Sequence, residues 1–454
     1  MSAMARLAPL SGFPEWSPAE RLVEAEILAS LRRVFALHGF AEIETRAVEP
    51  IDRLAGDSDA AKEIYAVRRL RGEDEREAEW GLHFDLTVPF ARYVEERQAS
   101  LAFPFRRCQI QKVWRGERPQ EGRFREFYQA DIDIVGRDSL PGHAEAEVAI
   151  VMAQALAALG ESVGLPPATM RLNDRRLVEG FYRGVGISDV PAALRSVDKL
   201  SKAGPDAVRA ELAAQGVSAR AIDAVLDLAA VRSADAGFAD DVSRLWSQSG
   251  ADASADAQAH ELLTTGVDAL ASLLAAVNTA VPGTALADLS IARGLDYYTG
   301  AVYETTIAGH EDLGAICSGG RYDSLIAGGG FPGVGMSIGV TRLVSRLVGA
   351  GIVNASRAVP SAVLVAVVDE DSRTASDAVA ASLRARGIPC EVAPTAAKFG
   401  KQIAFADKRG IPFVWFPGDG GDEVKDIRSG EQVSADPATW EPPAQDLKPR
   451  IVRG

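Results

Sequence analysis

The stretch Ala102–Gly136, AFPFRRCQIQKVWRGERPQEGRFREFYQADIDIVG, constrains the fold of this chain more than any other. It reads as strand, polar loop, strand. The loop Gly116–Gly122 holds Pro119 and two glycines, so it turns rather than extending either flank. The second flank, Phe124–Val135, is rich in aromatic and β-branched residues, which predicts a strand. Side chains alternate along a strand, so Arg123, Arg125, Phe127, Gln129, Asp131 and Asp133 are expected on one face. Charge gathers here too: Ala102–Tyr128 carries seven Lys/Arg against three Asp/Glu, in a chain of net charge −14. Guanidiniums at one end of a face and carboxylates at the other suit a ligand with a phosphate at one end and a cation at the other. A solvated, salt-bridged hairpin fits the same pattern.

The 454 residues are long for one domain and imply two or three. A 47% hydrophobic, 25% charged composition is that of a globular protein. No apolar run is expected to reach the roughly 20 residues of a membrane span, and no membrane partner is expected. The N-terminal MSAMARLAPLSGFPEWSP lacks the apolar core of a signal peptide, so the expected location is cytoplasmic. Cys108, Cys317 and Cys390 are far apart and form no CxxC pair, which excludes a disulfide framework and a Cys-rich zinc site. A pI near 5.0 argues against non-specific nucleic-acid binding but leaves room for a local basic surface that engages RNA.

Before the hairpin, Pro18–His38 has helical apolar spacing, with Ser17 as N-cap and Gly39 past the end. Phe40–Val48 is predicted as a strand. In GLHFDLTVPFARYV, Asp85 and Thr87 lie two apart; a strand there aims both the same way, whereas a turn uses the Asp as a cap. After the hairpin come an Ala-rich helix over Gly142–Leu159, a short strand at Met170–Asn173 and a helix from Asp174. Pro191–Asn278 changes to long Ala/Leu/Val helical patterns and reads as a helical insertion. Two dense segments follow, LADLSIARGLDYYTGAVYETT and CSGGRYDSLIAGGGFPGVGMSIGVTRLVSRL, the second a glycine-rich run entering a helix near Ser337. Neither is a Rossmann fingerprint nor a P-loop. From Ser361 strand and helix alternate, which predicts a parallel or mixed α/β module, and Lys398, Lys401, Lys408 and Arg409 cluster on one helical region.

In this order the segments resemble the histidyl-tRNA synthetase family, of class II, over nearly the whole chain. WRGERPQEGRFREF is similar to the class II motif 2 loop, GVGMSIGVTRL to motif 3 ending on Arg342, and IARGLDYYTG and CSGGRYDSL to two signatures of that family. FGKQIAFADKRGIPFVWF resembles its anticodon-binding domain. Arg46 stands where class II motif 1 usually has a proline, and Thr341 where motif 3 commonly has an acidic residue. The resemblance implies an α+β fold: an antiparallel catalytic sheet of the seven-stranded type over residues 1–345, a helical insertion at about 190–280, and an α/β anticodon-binding domain over 360–454. It implies a homodimer that uses ATP, with Mg2+ and no protein metal site, to form histidyl-adenylate and then charges the 3′ end of tRNA(His).

The resemblance also implies roles. Arg115 and Arg293 hold the α-phosphate from two sides, while Arg342 and Arg123 take the outer phosphates of ATP. Asp85, Thr87 and Gln129 receive the amino group of histidine. Asp133 and Tyr298 face its imidazole, and Tyr297 lines the pocket. Gln120 on the loop and Lys398, Lys401 and Lys408 on the tail contact tRNA. The reacting nucleophile is the substrate's own carboxylate, so positioning and charge neutralisation suffice.

Overall fold

The computed structural model describes residues 9–55, 62–70, 79–251, 256–292, 298–326, 329–418 and 420–454. It divides into two units: Met1–Pro14, Leu28–Glu161 and Leu165–Ser345 form the first, and Glu15–Ile27, Ser162–Gly164 and Arg346–Gly454 the second.

Helix α1 (Pro18–Leu37) starts where the sequence predicts. Ser17 N donates to Glu20 Oε2 at 2.6 Å and Glu20 N to Ser17 Oγ at 3.4 Å, a reciprocal cap. Next come β1 (Ala41–Glu42), β2 (Val48–Pro50), α2 (Ile51–Ala55), β3 (Ala66–Val67), β4 (Trp80–Leu82) and α3 (Thr87–Arg97). The expected strand Phe40–Val48 is thus two strands: β1 joins the main sheet, while β2 pairs with β4 in a separate three-stranded sheet. Between them Thr45 is tied to the side chains of Gln109 and Gln111, which takes that segment out of either ladder.

The hairpin strands are β5 (Phe105–Trp114) and β6 (Glu126–Val135), paired antiparallel along their whole length. β6 begins at Glu126, not Phe124, so Arg123 and Arg125 precede the strand. Arg123 is instead bridged to Gln120, and Arg125 N donates to Gly12 O at 2.7 Å. After α4 (His143–Val163) and β7 (Ala168–Asp174), α5 (Arg175–Gly184) is capped by the Asp174 side chain. The insertion comprises α6 (Val190–Val197), α7 (Leu200–Ala214), α8 (Ala219–Ala229), β8 (Arg232–Ser233), α9 (Phe238–Ser249) and α10 (Ala257–Ala280). β9 (Ala285–Asp288), β10 (Ala301–Ile307), β11 (Cys317–Tyr322), β12 (Gly333–Gly339) and α11 (Val340–Gly349) complete the first unit's elements. The glycine-rich run therefore becomes a strand, and the helix starts at Val340 rather than near Ser337.

The main sheet has the order β1-β5-β6-β12-β11-β10-β7-β9-β8. Its central six strands are antiparallel, while β1 with β5 and β7 with β9 are parallel. A parallel return needs a long crossover, which the helical insertion supplies between β7 and β9. Register separates the two faces of the sheet. Ile110, Ala130 and Ile338 lie in one row and Cys108, Ile132 and Met336 in the next, all buried. On this apolar side Tyr303 donates to Glu145 O of α4. The opposite side carries Gln109, Asp131, Ser337 and Ser318 in one row and Arg107, Asp133, Gly335 and Gly320 in the next.

Two described helices, α4 and α10, are long and apolar enough for a membrane span by length and composition, against the sequence expectation. In α4 that apolar content fills the core, with Val148, Val151, Met152 and Leu159 fully buried.

In the second unit β13 (Val353–Ala355) pairs with β19 (Ile451–Arg453). A mixed five-stranded sheet joins β14 (Val363–Val365), β15 (Cys390–Val392), β16 (Phe413–Phe416), β17 (Glu423–Asp426) and β18 (Gln432–Ser434). It is parallel at β15-β14-β16 and antiparallel beyond. Helices α12 (Arg373–Ala385) and α13 (Phe399–Arg409) fill the crossovers.

Candidate active site

On the polar side of the main sheet lies a cavity of about 1010 Å³, bounded by the hairpin loop, β6, β12 and the start of α11. Three of the expected arginines line it, each anchored by part of its guanidinium. Arg115 donates from Nε to Phe84 O at 2.9 Å, sits 5.2 Å from the Phe127 ring centroid, and has Nη1 3.8 Å from Glu117 Oε1. Arg123 Nη1 donates to the other oxygen of Glu117 at 3.3 Å. Arg342 donates from Nε to Gly122 O at 2.7 Å and from Nη1 to Ala315 O at 2.6 Å. Guanidiniums held this way present donors to an anion without reorganising when it arrives. Gln120 also lines the cavity, from the loop tip.

Gln129 and Ser337 line the cavity where it meets the sheet. Gln129 Nε2 donates to Ser337 Oγ at 2.9 Å. Further along the same strand face, Asp133 is buried between Tyr322, whose hydroxyl donates to Oδ1 at 2.8 Å, and Arg107, whose Nη2 lies 2.7 Å from Oδ2. Gly335 stands opposite Asp133, and a Cβ there would fall 2.1 Å from Asp133 Oδ1, so only glycine leaves the carboxylate its place. Gly320 does the same for Tyr298, whose ring lies 2.6 Å from the position of an added Cβ. Burial pushes the Asp133 carboxyl above its usual range, against the pull of Arg107 and Tyr322. It pushes Asp131 up to about 7, again opposed by Arg107. Asp85 is likewise raised by burial, opposed by the Val88 N–H and by Arg115 and Arg107.

The fold thus brings Arg115, Arg123, Arg342, Gln120 and Gln129 to one cavity, with Asp133 on the same sheet face as Gln129 and Tyr298 against that face. Asp85 is a helix cap as well: its Oδ1 accepts from Val88 N at 3.1 Å, which turns the chain into α3 where a strand was one expectation. Thr87, the first residue of α3, lines a separate cavity of about 430 Å³ with Arg92 and Glu49. Lys398, Lys401 and Lys408 are exposed at and along α13 of the second unit. Arg293 and Tyr297 lie outside the described residues. Arg107, Ser337 and Tyr322 were not singled out from sequence, and Lys202 of the insertion, which also lines the cavity, carried no signal beyond its charge. Tyr322 lies in the CSGGRYDSL signature, which was the available clue.

An antiparallel sheet with arginines on a motif 2-type hairpin loop and after its last strand, together with an α/β module, defines a class II aminoacyl-tRNA synthetase. Residues 12–343 match the family model of histidyl-tRNA synthetase and residues 362–436 that of an anticodon binding domain. The chain is 53% identical to the histidine–tRNA ligase of Cutibacterium acnes and 55% identical to that of Micrococcus luteus, each over 99% of both chains. A crystal structure of histidyl-tRNA synthetase from Nostoc covers 95% of this chain and 97% of its own, with TM-score 0.80 and 34% identity. The chain belongs to the histidyl-tRNA synthetase family. Its reaction is the ATP-dependent ligation of histidine to tRNA.

Proposed function

We propose that both steps of this ligation run in the cavity beside β6 and β12, with histidine against the sheet and ATP along the arginines. Arg115 and Arg293 neutralise the α-phosphate while the histidine carboxylate attacks it; Arg123 and Arg342 take the outer phosphates. Asp85, Thr87 and Gln129 receive the amino group, and Asp133 and Tyr298 the imidazole, with Tyr297 beside them. The arrangement that carries the reading is the polarity of one strand: arginines flank the loop before β6, and the buried Asp133 lies far along it. The separation of charge matches a phosphate at one end and an imidazole at the other.

Mg2+ binds ATP phosphates with only one or two protein carboxylates, and Glu117, between Arg115 and Arg123, is a donor of the right chemistry. When bound, the ion would supply further charge neutralisation on the phosphates. Gln120 reads the acceptor end of tRNA, and Lys398, Lys401 and Lys408 hold its anticodon end through phosphates. As the family resemblance implies, the enzyme acts as a cytoplasmic homodimer, with catalytic residues 1–345 and an anticodon-binding domain over 360–454. Histidine-dependent ATP–pyrophosphate exchange, with proline as control, tests the reading; no exchange with histidine would overturn it.

A further inference from the structure

The polar face of β6 carries two acceptor atoms that nothing among the described residues satisfies. Gln129 spends its amide N–H on Ser337 Oγ, and Ser337 stands directly across from Asp131 in the sheet. This leaves Gln129 Oε1 and Asp131 Oδ1, both shut off from solvent and both without a hydrogen-bond partner among the described residues. Their residues are two apart on one strand and so share a face. Asp131 is only 4% exposed. Buried acceptors are satisfied in nearly all folded proteins, so a pair left bare beside a cavity points to a donor that arrives with a ligand.

Charge narrows the choice. The groups that act on Asp131 are Arg107 from β5, Asp133 from its own strand, Asp85 from the turn into α3, Ser337 from β12 and Cys317 from β11. One guanidinium therefore stands among three carboxylates. A carboxylate or phosphate is repelled from such a place, and an imidazole edge offers one N–H for two oxygens. A primary ammonium brings positive charge and three donors.

We propose that Asp131 is a further substrate-binding residue, its Oδ1 and the Oε1 of Gln129 together receiving the α-ammonium of the bound amino acid. This rests on the reading of the cavity as the histidine site. Asp131 then supplements Asp85, whose Oδ1 is partly committed to capping α3.

The test uses the full-length enzyme and two ligands, histidine and imidazolepropionate, which keeps the ring and carboxylate but lacks the ammonium. Calorimetric affinities are measured for wild type and Asp131→Asn. The variant is expected to lose about tenfold to a hundredfold in histidine affinity, the worth of a charge-assisted hydrogen bond, and to bind imidazolepropionate as wild type does. Equal weakening of both ligands, or unchanged histidine binding, overturns the proposal. If that variant fails to fold, Asp131→Ser is measured in its place. The preference of wild type for histidine over imidazolepropionate should shrink as pH falls through about 7, where Asp131 takes up its proton, because the ligand ammonium does not titrate there, and the variant should lack that shrinkage. A preference that stays flat overturns it. Wild type that binds imidazolepropionate and supports histidine exchange, but shows neither effect, rejects Asp131 alone; wild type that binds neither ligand rejects the histidine-site reading itself.

Discussion

The Nη2 of Arg107 lies 2.7 Å from Oδ2 of Asp133, and neither side chain reaches solvent to any extent. The guanidinium also rests 4.3 Å from the centroid of the Phe90 ring and donates from Nη1 to Gln109 Oε1 at 3.3 Å. A charge this deep is tolerated because its partner is fixed, and the guanidinium opposes the rise that burial imposes on the Asp133 carboxyl. Arg107 thus acts on Asp133 without lining the cavity itself.

Arg107→Leu should therefore destabilise the protein by about 3–5 kcal/mol, the usual cost of leaving a buried charge uncompensated. Urea unfolding of the two proteins measures it. A loss below about 1 kcal/mol would place the pair among the weak, solvent-screened bridges.

Tyr322→Phe removes the hydroxyl that donates to Asp133 Oδ1 and leaves the ring in place. Histidine KM in pyrophosphate exchange is expected to rise about tenfold, consistent with one hydrogen bond to a charged group, with ATP KM unchanged. An equal rise for both substrates would detach Asp133 from the histidine end of the site.

Arg293→Ala should fold normally and lose histidyl-adenylate formation by about 10²–10³ in rate, the effect of removing one preorganised donor to developing charge. Single-turnover exchange of the folded variant checks this. Near wild-type turnover would remove Arg293 from the chemistry.

Asp131 gives stability a pH signature. Its carboxyl is raised to about 7 by burial, above the ordinary value of 3.8, so the native state keeps a proton that the unfolded chain has released. The stability it contributes is complete below that ordinary value and is lost as pH rises through about 7. Asp131→Asn should remove this falling limb and raise Tm above wild type at about pH 8, read by thermal unfolding across a pH series. Asp85, Asp133 and Glu145 are shifted the same way, so the difference between the two proteins, not either curve alone, carries the result.

Gln120→Ala and a chain ending before Ser361 should separate two tRNA contacts. Both are expected to spare pyrophosphate exchange. The loop variant should lower charging with little change in salt dependence, whereas the truncation should flatten it, because phosphate contacts release counterions and base contacts do not. A truncated protein that charges tRNA at the full rate across a salt series would dismiss the lysines of α13.

The elements were legible wherever local chemistry decides structure. The cap at Ser17, the turn at Gly116–Gly122 and the α/β alternation after Ser361 all lie in short stretches of sequence. What stayed hidden depends on strands that meet from far along the chain. Nothing in FRRCQIQ says that Arg107 will oppose Asp133, and nothing near Ser337 says that it will face Asp131; register alone creates both pairs. The glycine run misled for a related reason. Glycine is a poor strand former in isolation, yet β12 needs it at Gly335 because Asp133 occupies the space of a Cβ. Asp85 reads two ways in sequence, and the fold uses its carboxylate as a cap.

Gly335 and its neighbour in the sheet, Gly320, also set a limit on redesign. Where a pocket wall is a valine or a leucine, trimming it admits a bulkier guest, but Gly335 and Gly320 have nothing left to trim. Substitutions at either of these two glycines can only crowd that face. On the proposed placement of histidine, any broadening of the accepted amino acid has to begin on the walls that still have atoms to give up, at Asp133, Tyr298 or Tyr322. Two of these are bonded to each other, so changing one unsettles the other, and the site resists drift toward a larger guest on more than one side at once.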